Sequence, residues 1–257
     1  MSLRAPAAIV AALAYMVSSG KRTLQFNEGT YAITTWLATS GLHGITVRGR
    51  GIHSTYIEGT GAGAYTFKMS NNIYWTIEDL SFDGNMVKNA AALLADGIVS
   101  GCIFKHVGFI DGAVNNLVLG DTGNNDISTN TFEECEVSWY TACSISQGSL
   151  KILGTNTGAN AWISGRIATD NNSHVDSFAI DLAAISHFEI YQGVISTSAS
   201  TYAINGQNGS IQMWGGQIEC ENGFLHTLST DSGVDSGAFT PYHFHSVSIS
   251  RTINSTP

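Results

Sequence analysis

The chain is 257 residues long, beyond the usual span of one globular core, yet no Pro-rich, Gly/Ser-rich or charged linker divides it. Only 12% of its residues are charged, and 28 glycines stand against three prolines, a mixture suited to many short strands joined by tight turns. A net charge of -9 without a basic stripe excludes a nucleic-acid partner, whose phosphates demand a positive surface.

The first predicted element is a short helix. Ala7 to Val17 is apolar, follows Arg4, and is too short to span a bilayer, so no membrane partner is expected. It has the length of a secretory signal core, but Ser18-Ser19-Gly20-Lys21 makes a weak cleavage site. Pro6 near the first turn, with Ile9, Leu13 and Met16 on one face, favours a helix. The expected division is therefore a cap helix over residues 1–22 and one repetitive unit over 23–257.

That unit repeats roughly every 27 residues. Ile57, Phe82, Phe109, Val137, Ile167, Ile195, Ile218 and Ile249 align as one apolar column. Five residues earlier in each coil lies a second, Ile52, Ile77, Phe104, Phe132, Trp162, Ile190, Met213 and Phe244. A third, two residues before the first, reads Thr55, Leu80, Val107, Cys135, Gly165, Gly193, Gly216 and Val247. Inward positions two apart fit one strand, but an offset of five breaks the alternation and requires a bend at the two residues between. Further β-like runs, Tyr65 to Met69, Leu117 to Leu119, Leu150 to Leu153, Phe178 to Leu182 and Tyr202 to Ile204, predict three short strands per coil and about eight coils of an all-β parallel β-helix. A sandwich would alternate strand direction, and a leucine-rich repeat would show its own consensus. Cys102, Cys135, Cys143 and Cys220 match neither zinc-site spacing nor a small disulfide framework and read as buried thiols.

Before the first coil come Phe26-Asn27-Glu28-Gly29-Thr30-Tyr31, then Gly44-Ile45-Thr46-Val47-Arg48-Gly49-Arg50-Gly51 and Ser54-Thr55-Tyr56-Ile57. These resemble the opening of pectate-lyase-like, right-handed parallel β-helix proteins, among them phage tailspikes and polysaccharide lyases; Asn27 stands where such proteins carry Pro. The resemblance implies a single-stranded right-handed β-helix closed by the N-terminal helix, a polysaccharide partner, and an extracellular or virion-surface location. Through the tailspike branch it implies a homotrimer. Arg251 to Pro257 is too short and polar to cover the other end, so a longer parent chain, an oligomer contact or a lid from another chain is expected there. None of the N-T-D, G-H-G or R-I-K signatures of polygalacturonase-like hydrolases is present, nor an aspartate cluster matching a calcium site, so the resemblance assigns no catalytic residue.

Candidate chemistry comes from the outward columns, where equivalent residues one coil apart lie about 4.8 Å apart. The two bend positions read Glu78/Asp79, Lys105/His106 and Glu133/Glu134 in consecutive coils. Asp79 and Glu134 flank His106 at roughly two rungs, about 9.6 Å, the range in which inverting glycosidases hold their acid and base. Glu78 and Glu133 flank Lys105 in the same way. The alternative is structural, since acid, base and acid stacked in turn relieve like-charge repulsion. Glu136 and Arg166 share an outward column and fit an ion pair better than a substrate clamp. Glu58 and Asp83, one rung apart, fit a retaining pair or two solvated acids, and rank below the bend cluster.

Trp36, Trp75, Trp139, Trp214 and Tyr140 are candidates for stacking on sugars if they face outward; Trp162 belongs to the buried column. His243 and His245 flank Phe244 on one side, with no third metal ligand evident. Asp121 and Asp126 around Gly120 to Asn125 lack the EF-hand pattern and read as a turn. No metal or cofactor is expected. The sequence thus predicts a carbohydrate-active β-helix whose catalytic candidates are Asp79, Glu134, Glu78, Glu133 and His106. Lys105, Glu136, Arg166, Trp139 and Tyr140 are its substrate-binding candidates. Inverting hydrolysis is preferred, with a non-enzymatic glycan-binding adhesin and a polysaccharide lyase as alternatives.

Overall fold

The computed structural model describes residues 5–37, 41–95, 97–120, 126–143, 148–153, 157–174, 177–182, 186–198, 201–206, 210–220, 223–226 and 243–250. Every pairing among the described strands is parallel, and each strand pairs with its equivalent in the coil before and after, which makes the molecule a parallel β-helix.

The first apolar column stacks as the alternation demands: Ile57, Phe82, Phe109, Val137, Ile167, Ile195, Ile218 and Ile249 are partners in register, rung after rung. The second column stacks from Ile77 to Phe244. Below Ile77, however, the partner is Val47, and Val47 in turn pairs Leu24. Ile52 therefore leaves the predicted column. It belongs to an inserted loop, held by Gly51 N donating to Asp79 O and by Arg50 N donating to the Thr55 hydroxyl.

The two columns lie in the two arms of one 16-stranded sheet, bent at the predicted corner. The bend is made by a left-handed residue in every coil from Asp79 onward: Asp79, His106, Glu134, Ser164, Gln192, Gly215 and Ser246 all have φ between 49° and 68°. No β-branched residue occupies this column, as expected where Cβ crowds the backbone. The third side of the coil is an eight-stranded sheet that includes Gly63–Met69, Lys88–Leu94, Asn115–Leu119, Gly148–Ile152, Phe178–Leu182 and Tyr202–Gly206. It holds all the extra runs read from the sequence.

Inside, Phe67, Phe82 and Phe109 stack on one side, and Phe104, Phe132 and Trp162 on the other, with neighbouring ring centroids 4.3 to 6.1 Å apart. Two asparagines are also buried in this interior and are satisfied by one another: Asn130 Nδ2 donates to Asn160 Oδ1 at 3.0 Å, and Asn160 Nδ2 to the carbonyl of Ile127 at 2.7 Å. All four cysteines are buried thiols, and burial pushes Cys102 and Cys135 up to about 11 and about 12, so these two are packing groups. The helix Ala5–Ser18 packs Ile9 and Met16 into the same core. Among the described residues no helix is long and apolar enough to cross a membrane.

Candidate functional site

The bend cluster forms as two charge ladders. In the first, Arg48, Glu78, Lys105 and Glu133 stand in register, with Arg48 Nε donating to Glu78 at 2.5 Å and Lys105 Nζ to Glu133 at 3.0 Å. The bond to Glu133 raises the Lys105 pKa. Arg48 heads this ladder because Val47, and not Ile52, continues the second column below Ile77. In the second ladder the His106 imidazole bonds Asp79 at 3.1 Å through Nδ1 and Glu134 through Nε2. Those bonds, Glu134 foremost, raise the His106 pKa and favour the imidazolium. The gap between Asp79 and Glu134 that an inverting enzyme leaves for water is thus filled by the imidazole ring. Each bend carboxylate has a cationic partner, and the geometry is that of rung-to-rung charge compensation.

A different constellation occupies the outer face of the following arm. Side chains alternate there, so two outward lanes run along the molecule. One lane carries Tyr56, Ser81, Gly108, Glu136 and Arg166; the other carries Glu58, Asp83, Ile110 and Ser138. Ser81 and Gly108 are small because the inserted loop lies over them. The Ser81 hydroxyl donates to the Ile52 carbonyl, and a Cβ on Gly108 would meet the Ile52 side chain at 3.1 Å. The loop delivers His53 to within 4.0 Å of Glu136 and stacks its ring edge-on to Tyr140, centroids 6.1 Å apart.

Asp83 is the perturbed acid of this face. Burial, with the negative charges of Asp111 and Glu58 nearby, pushes its pKa up to about 6, although the Asn85 backbone N–H donates to it at 2.6 Å. Asn85 also donates through Nδ2 to Glu58 at 3.3 Å, so one asparagine binds both carboxylates. Asp111 accepts the N–H groups of Tyr140 and Thr141, each at 2.8 Å, which anchors the turn bearing Tyr140. The Tyr140 hydroxyl donates to Glu136 at 2.7 Å, and burial together with Glu136 holds its pKa above the ordinary phenol value. The predicted Glu136–Arg166 pair does not form: Arg166 turns to Asp170, 2.9 Å from Nη2, and to the Ser196 hydroxyl.

The tryptophans require correction. Trp139 is fully buried with its indole N–H on the Gly112 carbonyl at 2.6 Å, and Trp75 likewise on Leu42 at 2.7 Å; Trp36 is buried beside Phe67. None of the three offers a ring to a sugar. Trp214 does face outward, stacked between Tyr191 at 4.8 Å and His245 at 5.8 Å, and Tyr140 is 46% exposed. His243 and His245 stack with centroids 6.3 Å apart, and no group of three metal-ligating side chains occurs among the described residues. Asp121 lies outside the described residues, and Asp126 is not in the expected turn but opens the strand Asp126–Ser128, where it accepts the Ser128 hydroxyl at 2.5 Å.

No family model matches the chain, and no curated protein does. Solved structures do match. A pectin methylesterase from Yersinia enterocolitica aligns over 91% of this chain and 87% of its own, at 14% identity and a TM-score of 0.56. The A-module of a mannuronan C-5 epimerase from Azotobacter vinelandii aligns over 97% of this chain and 94% of its own, at 9% identity and a TM-score of 0.32. An alginate lyase from Paenibacillus aligns over 93% and 96%, at 10% identity and a TM-score of 0.36. At 14% identity what the pectin methylesterase shares is the path of the backbone, and with the parallel register established rung by rung, this chain has the parallel β-helix fold of that structure.

Proposed function

We propose that the protein is a carbohydrate-active β-helix that binds a polysaccharide along the outer face of the 16-stranded sheet and cleaves it by acid–base chemistry centred on Asp83. The observation that carries this reading is the carboxyl of Asp83, raised to about 6 beside a second carboxylate. A general acid needs a proton to give at working pH, and its partner must be free to act as an anion. Glu58 is that partner, one rung away and bound to the same Asn85. A separation near one rung, about 5 Å, suits a carboxylate acting as nucleophile beside the acid. Arg166 and the half-exposed Tyr140, further along the same face, would bind the chain on one side of the cut. The shared fold of a pectin methylesterase supports a polysaccharide as the substrate class.

The test is incubation with a panel of neutral and acidic capsular and cell-wall polysaccharides between pH 5 and 7. Reducing ends are assayed together with the absorbance of unsaturated sugars. Release of reducing ends is expected, falling by roughly 10²- to 10⁴-fold in Asp83→Asn and retained in Glu134→Ala. Unsaturated products would replace hydrolysis by elimination. Binding without any product would leave a glycan-binding surface and remove the enzyme reading. A secreted or virion-surface homotrimer is part of this proposal, and a monomer mass in light scattering removes it.

A further inference from the structure

The bend residue Gln192 separates the catalytic face described above from the preceding arm of the sheet, whose outward side chains take no part in that reading. On the strand Ser186–Tyr191 the outward residues are His187, Glu189 and Tyr191; on its neighbour Ser210–Trp214 they are Ser210, Gln212 and Trp214. The two strands pair with His187 opposite Ser210, Glu189 opposite Gln212 and Tyr191 opposite Trp214. His187 Nδ1 lies 2.8 Å from the Ser210 hydroxyl, and its Nε2 lies 3.2 Å from Glu189 Oε1. The other oxygen of Glu189 accepts the Tyr191 hydroxyl at 2.8 Å. His187 and Glu189 are about one-third exposed, so the relay is open to solvent on one side.

We propose that Ser210, His187 and Glu189 form a nucleophilic triad that hydrolyses O-acyl esters carried by a polysaccharide. A serine hydroxyl needs a base within hydrogen-bond reach, and the base needs a third group to fix its tautomer and steady its cation. A proton on Nε2 directed at Glu189 leaves Nδ1 as the acceptor for the Ser210 proton. Ser210 Oγ adds to the ester carbonyl carbon as its proton passes to His187. The carbon–oxygen bond to the sugar breaks, and His187 returns that proton to the departing sugar oxygen. Water then attacks the acyl-serine, gives a proton to His187, and the acid leaves as Ser210 regains its hydroxyl. Glu189 and Tyr191 are positioning residues here. Gln212, the next outward residue after Ser210, supplies an amide donor for the developing oxyanion. The stacked Tyr191, Trp214 and His245 rings border the triad and give an acylated sugar an apolar edge to rest on. The choice of a polysaccharide ester rests on the function proposed above; the triad itself does not.

The experiment therefore uses two substrates. With 4-nitrophenyl acetate, which contains no glycosidic bond, the full chain is expected to release nitrophenolate above the buffer rate. A fluorophosphonate should label Ser210, located by peptide mass spectrometry. Ser210→Ala should lower turnover at least about 100-fold and abolish labelling, with an unchanged circular dichroism spectrum. Glu189→Gln should lower kcat about tenfold or more at constant KM, a split that loss of structure would not give. With an O-acetylated polysaccharide, free acetate should appear. No turnover, an adduct on another residue, or a Ser210→Ala variant at wild-type rate overturns the triad. Turnover of the small ester without acetate release from acetylated polysaccharides overturns the substrate class alone.

Discussion

Asp83 illustrates how a single side chain joins function to stability. Its folded pKa of about 6 lies above the ordinary 3.8, so the native state holds a proton that the unfolded chain has lost across this interval. The penalty for ionising Asp83 is absent below about pH 3.8, grows between the two values, and is complete above 6. His106 acts in the same direction by the opposite logic. Its raised pKa gives stability that is fully present below the unfolded value of 6.5 and is lost as pH rises through the folded one. Thermal melting from pH 3.5 to 8 should show a falling midpoint, and Asp83→Asn should flatten the portion between 4 and 6 while leaving the higher portion in place. Asparagine keeps an oxygen for the Asn85 N–H, so the variant should be more stable than the parent at pH 7 as it loses activity. A variant that melts lower at pH 7 would show that the carboxylate is satisfied in a way its surroundings do not explain. The bend acids, by contrast, have their charges matched by Arg48, Lys105 and His106. Sequence columns alone could place both groups but could not rank them, because burial, the largest cause of the Asp83 shift, is a three-dimensional quantity.

At the scale of the element, the corner is the device that turns a strand repeat into a closed coil. Its left-handed residue is required by the parity of the two inward columns, and the sequence made the need for a bend visible at the correct two positions. It did not make visible that the backbone solution is the same in each coil from Asp79 to Ser246, because only Gly215 is a glycine. Gln192, with φ of 54°, is an exposed side chain at such a position and separates backbone cost from side-chain contacts. A non-glycine residue here carries of order 1 kcal/mol of strain. Gln192→Gly should therefore raise the thermal midpoint, and Gln192→Val should lower it by more, since a β-branched side chain crowds the turn further. Equal midpoints for the two variants would mean that the corner relaxes and is not a fixed bend. The first coil shows the limit of column reading. Val47 and Ile57 are ten residues apart instead of five, and an apolar Ile52 placed at the expected offset drew the register to itself. The loop that contains Ile52 is an insertion, and insertions are where a repeat ceases to be periodic. The Ser210–His187 contact, by contrast, follows from the same arithmetic: the two residues stand eight before Ile218 and Ile195, in one outward column beyond the bend.

Across the whole molecule the fold is quasi-one-dimensional, each coil touching the one before and the one after. This is why so much of the interior was legible: sequence offset and spatial stacking are the same variable once the period is found, and seven consecutive pairs of the first column obey it. The site was less legible because its defining contacts leave the lattice of rungs. Arg166 turns to Asp170, just past the end of its own strand, instead of across to Glu136, Tyr140 hangs from a turn fixed by Asp111, and His53 arrives from a loop that crosses two coils. One-dimensional coupling also dictates how damage spreads. Phe132 lies between Phe104 at 4.8 Å and Trp162 at 5.5 Å, both rings nearly parallel to it, in the middle of the stack. Phe132→Ala removes a fully buried ring and should cost about 3–5 kcal/mol. In a globular core such a loss is shared by the whole domain. Here hydrogen exchange followed peptide by peptide should show faster exchange in the strands Ile103–Ile110, Thr131–Glu133 and Thr157–Ile163, fading within a coil or two toward Thr23–Gln25 and His243–His245. Uniform acceleration from one end to the other would show that the coils unfold as a single cooperative body, so that a cavity at the centre is felt equally at both ends.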